Sequence, residues 1–122
     1  MDQNLTVDQP IFQQIAEKVK SGIMEGSIQE NERIPSTNEF ARFYQINPAT
    51  AAKGINLLVD EGVIYKKRGI GMFVTEGAKD VIIQKRRTDF FHDYIVPLKE
   101  EASKLGISIH ELKQLLEKED IR

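Results

Sequence analysis

Cysteine is absent from the 122 residues, which excludes a disulfide framework and thiolate metal sites. No apolar run approaches the ~18 residues needed to cross a bilayer. The opening residues, Met1-Asp2-Gln3-Asn4, lack the basic and apolar regions of a secretory signal. A soluble, cytoplasmic protein with no membrane partner is therefore expected. A basic excess is missing too. The net charge is −2 and the pI about 5.7, so the totals do not advertise nucleic-acid binding. Internal repeats and low-complexity segments are also absent. What remains, 40% apolar and 30% charged, suits one globular domain with a small appendage.

Charge distribution says more than the sum. Between Arg42 and Arg68, five basic residues stand against two acidic ones, Asp60 and Glu61. Acids gather elsewhere, at Glu25, Glu30 and Glu32 and at Glu117, Glu119 and Asp120.

Pro10 opens a first helix, in which Ile11, Ile15, Val19 and Ile23 recur at helical spacing with Phe12 beside them. Gln13, Gln14, Glu17, Lys18 and Lys20 are assigned to its solvated side, and Gly26 to its end. Arg33-Ile34, before Pro35, fits one short strand. Ser36-Thr37-Asn38-Glu39 matches a capping box and predicts a helix from Thr37, with Phe40, Ala41, Phe43 and Tyr44 as core. Asn47-Pro48 is a second start signal. The helix it opens turns Ala51, Ile55, Leu58 and Val59 inward, leaves Ala49, Thr50, Lys53, Asn56 and Asp60 outside, and stops at Gly62.

Two short helices divided by a few residues make a helix-turn-helix. Val63-Ile64-Tyr65 and Met72-Phe73-Val74 then flank Lys66-Lys67-Arg68-Gly69-Ile70-Gly71, a hairpin with a basic, glycine-containing tip. A hairpin in that place is a wing. From Ala78 the pattern is helical again, with Ile83, Phe90, Tyr94 and Leu98 along one stripe and Pro97 predicted to kink or interrupt it. Leu105-Gly106 ends it. Ser108-Ile109-His110-Glu111 is another capping box, leading a last helix with Leu112, Leu115 and Leu116. The fold class is mainly α with a small β-hairpin: a winged helix-turn-helix over residues 1–76 and a two-helix C-terminal extension over 77–122, assigned to dimerisation.

From Pro10 to Val74 these segments resemble the GntR family of bacterial regulators. The resemblance lies in Ile34-Pro35-Ser36, Phe40-Ala41, Asn47-Pro48-Ala49-Thr50, Leu57-Leu58-Val59-Asp60-Glu61-Gly62 and Gly69-Ile70-Gly71-Met72-Phe73-Val74, in that order and spacing. The Asn-Pro-x-Thr start of the third helix and the short tail are similar to the YtrA-like branch. Its members carry a two-helix extension, as Gly77 to Arg122 would supply. Other branches append a ligand-binding or aminotransferase-like domain, for which this sequence leaves no room. The resemblance implies a dimeric, usually repressing regulator, often encoded beside ABC-transporter genes. It also implies an Arg where this sequence has Asn38, which can hydrogen-bond a phosphate but adds no charge.

In such a docking geometry the first residues of the recognition helix reach base edges in the major groove. Asn47, Ala49, Thr50 and Lys53 take that role here. The Ala49 methyl suits a thymine methyl, Thr50 a base edge or phosphate, and Lys53 guanine or phosphate. Ser36 and Asn38 stand at a helix N-terminus, where phosphate is held well. Lys67, Arg68 and Gly69 would lay the wing tip along the minor groove or backbone. The expected partners are a double-stranded DNA operator and a second copy of the chain, joined through Ile83, Phe90, Tyr94 and Leu98.

Simpler readings compete. Ser36 and Asn47 serve as helix caps in any helical protein, and Lys66-Lys67-Arg68 outside a wing is a solvated turn. The C-terminal stripe could pack only on its own domain, and Lys85-Arg86-Arg87 reads as a solvated helix side. His92 and His110 have no His or Cys partner at i+3 or i+4, and no nucleophile stands beside a base, so no metal, cofactor or catalysis is expected. No effector pocket is legible. The acidic totals and Asn38 keep one rival open, a winged-helix protein-interaction module without specific DNA binding.

Overall fold

The structure, a computed structural model, describes residues 4–118. The helices that follow Ser36, Asn47 and Ser108 begin where the sequence supplies side-chain caps. The chain divides into two units, one running to Ile83 and one from Gln84.

In the first unit, α1 (Ile11–Glu25) starts after Pro10, whose carbonyl accepts from the Gln13 and Gln14 N–H groups. It ends at Gly26, whose φ of 88° is the left-handed C-cap geometry. The brief strand β1 (Arg33–Ile34) precedes α2 (Thr37–Tyr44). At the start of α2 the Ser36 hydroxyl accepts from the Glu39 N–H at 3.1 Å, and the Glu39 carboxylate accepts from the Ser36 N–H at 3.0 Å. At its end Gln45 takes a left-handed conformation (φ 55°) that glycine usually supplies. The next helix, α3 (Pro48–Asp60), is capped by the Asn47 side chain, which accepts from the Ala49 N–H at 2.8 Å.

Strands β2 (Ile64–Lys67) and β3 (Gly71–Val74) form the wing, and β1 adds to it, giving a sheet of order β1-β3-β2. All pairing is antiparallel, with Arg33 opposite Phe73 and Lys67 opposite Gly71. The core draws on every element: Ile15, Val19 and Ile23 from α1, Phe40 from α2, Ile55 and Leu58 from α3, and Ile34, Ile64 and Val74 from the sheet. Each such side chain contributes about 1.5–3 kcal/mol on burial. Ala78 and Ile82, in the first turns of α4 (Ala78–Phe90), join this core, which is why the unit runs beyond residue 76.

Four residues differ from their expected sides. Ile11, the first residue of α1 and assigned to its apolar stripe, is 38% exposed. Phe43 is 40% exposed rather than core. It stands roughly a quarter-turn around α2 from the stripe of Phe40, Ala41 and Tyr44, and meets Tyr44 edge-on at 4.9 Å. Gln14 and Lys20 are buried rather than solvated. Gln14 donates to the Thr6 and Gln9 carbonyls and accepts from the Thr6 N–H. The Lys20 ammonium pairs with the Glu61 carboxylate, both side chains about nine-tenths covered.

The second unit holds the end of α4, a π-helical turn (Phe91–Ile95), α5 (Val96–Lys104) and α6 (Ile109–Glu117). The interruption expected at Pro97 takes the form of this π turn. The Val96 N–H donates to the Phe91 carbonyl five residues back, and Pro97, with no N–H to place, follows in the first turn of α5. A second capping box, Ser108 with Glu111, opens α6.

Helix α3 approaches α1 at Gly54, where an added Cβ would lie 2.8 Å from the Phe12 carbonyl oxygen and 3.5 Å from Ile15. Alanine would gain about 1 kcal/mol of helix propensity, but overfilling a packed contact costs about 1–3 kcal/mol. The atom met is backbone and cannot swing aside, so the steric term wins. Gly54→Ala should lower the melting temperature by a few degrees and Gly54→Val by more, measured by circular dichroism. An unchanged or raised value for both would mean the helices are not in close contact there.

The Ser36 N–H and then its hydroxyl hold the Glu39 carboxyl below its ordinary pKa of 4.5, with Arg33 and Arg42 adding to the effect. A depressed folded value stabilises above that ordinary pKa, and the contribution is lost as pH falls through the folded value. The melting-temperature gap between wild type and Glu39→Gln should therefore be largest near neutrality and shrink below about pH 4.5. A gap independent of pH would exclude a charged cap.

Candidate nucleic-acid interface

On α3 the residues Ala49, Lys53, Asn56 and Asp60 follow one another at helical spacing, and all four are exposed. Thr50 beside them is half-buried. Asn47 spends its side-chain oxygen on the helix cap and stays exposed. The Lys53 ammonium lies 4.2 Å from the centroid of the Phe12 ring, so α1 provides it an aromatic rest. This stripe offers small, hydroxyl, amide and cationic groups outward from a helix whose other side is fixed in the core.

The wing closes through a tight turn in which the Ile70 N–H donates to the Lys67 carbonyl at 3.0 Å. Gly69 sits at its third position with φ 76°, a value that L side chains resist. Strand alternation separates the two lysines. Lys66 shares a face with Ile64 and Met72, whereas Lys67 shares one with Tyr65 and Phe73. The Lys67 ammonium is drawn over Phe73 at 4.6 Å, with the Tyr65 ring 6.0 Å away. Ile70 is 63% exposed at the tip.

A groove runs between the start of α2, the outer side of α3 and the wing. Ser36, Asn38, Lys67 and Gly69 all line it. Asn47, Ala49, Thr50 and Lys53 stand on the first turns of α3 and Arg68 on the hairpin turn, outside that lining. The lining also takes in Arg33, Thr37 and Asn56, and Lys66, which the sequence marks only as part of the basic hairpin tip. Lys66 and Asn56 had a signal. Lys66 follows Ile64 by the strand period, and Asn56 follows Lys53 by three residues on a helix. Arg33 had none, because only the pairing of β1 with β3 brings it there.

The stripe assigned to dimerisation is distributed over both units. Ile83 closes the first and is 39% exposed. In the second, Phe90 is 55% and Tyr94 66% exposed, their rings 5.6 Å apart, and Leu98 is half-buried. His92 lies edge-on to Phe91 at 5.4 Å, and both His92 and His110 are exposed. Among the described residues no group of three or more His, Asp or Glu side chains is arranged to hold a metal ion. Among them, too, no helix is long and apolar enough to cross a membrane.

The family model for bacterial regulatory proteins of the gntR family matches residues 11–74. The chain is 30% identical over 109 residues to the HTH-type transcriptional repressor YtrA of Bacillus subtilis, covering 89% of this chain and 78% of that protein. Among solved structures, a transcriptional regulator of the GntR family from Bacteroides thetaiotaomicron superimposes with a TM-score of 0.71 at 36% identity, over 87% of this chain and 92% of that one. AraR(DBD), solved in complex with operator ORE1, gives 0.53 at 30% identity, over 62% of this chain and 94% of that one. The matched stretch runs from the first residue of α1 to the last of β3, and takes in both helix caps and the wing; the chain belongs to the gntR family of bacterial regulatory proteins.

Proposed function

We propose that the chain is a sequence-specific DNA-binding transcriptional regulator of the YtrA-like kind, working in the cytoplasm as a homodimeric repressor that occludes a promoter. One observation carries the reading. The exposed stripe of α3 and the groove beside the wing stand on one scaffold, and that scaffold resembles AraR(DBD), which was solved on its operator. In this reading α3 enters the major groove and the wing follows the adjacent backbone or minor groove.

The roles follow the chemistry of each position. Asn47, Ala49, Thr50 and Lys53 address base edges. Thr50 donates or accepts through its hydroxyl, and the Ala49 methyl meets a thymine methyl. Ser36 and Asn38, at the start of α2, receive a phosphate. Lys67, Arg68 and Gly69 bring the wing against the backbone. Lys53 and Lys67 rest on aromatic rings, which limits the freedom they lose on binding. Residues 1–76 are assigned to DNA and residues 77–122 to dimerisation through Ile83, Phe90, Tyr94 and Leu98. Two copies read two half-sites and gain avidity that one winged domain lacks. No catalytic chemistry is assigned.

Fluorescence anisotropy against tiled fragments of the chain's own upstream DNA, over a salt series, tests the reading. One fragment bound far more tightly than the rest, with affinity falling as salt rises, supports it. Absence of binding even at low salt would replace it with a protein-interaction role. On the fragment bound, Lys53→Ala should cost roughly tenfold in affinity, and Lys67→Ala with Arg68→Ala should flatten the salt dependence, both without unfolding. Wild-type affinity in both would remove these residues from the interface. Tyr94→Glu should convert a dimer to monomer in sedimentation velocity, and an unchanged dimer would eliminate the seam.

A further inference from the structure

We infer that Arg33 is a DNA-backbone contact, set in place by Gly71, that ties a phosphate to the root of the wing; this rests on the DNA-binding reading above. Arg33 opens β1 and lies opposite Phe73 of β3. Near it on β3 stands Gly71, and the arginine's stem occupies the space that a Cβ there would need. That Cβ would meet Nε at 2.7 Å, Cδ at 3.4 Å and Cγ at 3.6 Å. The side chain is therefore laid across the strand where the hairpin leaves the sheet, rather than sweeping freely through water.

Its surroundings point to an anion. Arg33 lines the same groove as Asn38 and Lys66. The residue stays exposed, and no salt bridge is formed to it among the described residues. Glu39 is the acid that feels its charge, but that carboxylate is engaged by Ser36 at the helix cap. A guanidinium with a braced stem and no ion-pair partner among the described residues, between a helix N-terminus and a cationic hairpin, matches the fork geometry that binds phosphate through two N–H groups. It stands off the stripe of α3 that addresses base edges. Its contribution is thus to position the duplex, independent of sequence.

The test uses the full chain, the upstream fragment that wild type binds most tightly, and a shuffled duplex of the same composition. Arg33→Ala should weaken binding to both duplexes by the same factor, roughly tenfold, and lower the log–log salt slope by about one. Arg33→Lys should keep the slope while losing part of the affinity. Replacing single phosphates by methylphosphonates should find one position per half-site that weakens wild type and leaves Arg33→Ala unaffected. That coupling separates a contact from a folding defect should Arg33→Ala also melt lower. Wild-type affinity and slope in Arg33→Ala, a loss confined to the tight fragment, or no phosphate coupled to Arg33 would each overturn the inference alone. A wild-type chain that binds neither duplex would overturn the DNA-binding reading and this inference with it.

Discussion

Between Gly54 of α3 and the Phe12 carbonyl of α1 there is no room for a methyl group. That backbone-to-backbone approach fixes the depth at which α3 sits, and the contacts on either side of it fix its direction. One residue before Gly54, Lys53 rests on the Phe12 ring. Beyond its end, Glu61 meets the buried Lys20 of α1. Removing one partner from an enclosed pair of this kind costs about 3–5 kcal/mol, so the pair resists sliding of one helix along the other more than it adds net stability. A helix held at its middle and just beyond its end presents its outer stripe at a defined angle.

The wing is referred to the same frame by backbone hydrogen bonds as well as by the core side chains Ile34, Ile64 and Val74. β1 lies immediately before the cap of α2, and it pairs with β3 through Arg33 and Ile34. The Asn31 N–H donates to the Val74 carbonyl at 2.8 Å, and the Val74 N–H to the Glu32 carbonyl at 2.9 Å. The residues that introduce α2 therefore also hold the root of the hairpin. The strand period then sorts the cations: Lys66 shares a face with Met72, and Lys67 is drawn onto Phe73. A chain with a net charge of −2 thus keeps a cation on each face of its hairpin.

The second unit has a different balance. Among its described residues only Ala102 is buried, while Phe90, Phe91, Tyr94, Leu105, Ile109, Leu115 and Leu116 stay exposed. Apolar side chains left in water forgo the main favourable term in folding. This supports the proposal that a second copy of the chain covers part of that surface. The π turn beside Pro97 lies within the same stretch and widens the helix where Phe91 to Ile95 pass.

Local signals were legible in the sequence. The caps at Ser36, Asn47 and Ser108, the ends at Gly26 and Gly106, and the hairpin turn at Gly69 are satisfied by groups within a few residues. Sequence distance therefore does not hide them. The apolar stripes of α1 and α3 were legible too, since periodicity alone reports a buried face. Tertiary structure decided what depended on distant partners. Lys20 is buried because Glu61, 41 residues away, neutralises it. Gly54 serves as a contact point only because α1 crosses there. Arg33 belongs to the groove only because β1 pairs with β3. A helix cap or an apolar stripe has its energy written in neighbouring residues, whereas a charged or missing side chain takes its meaning from whatever the fold brings against it.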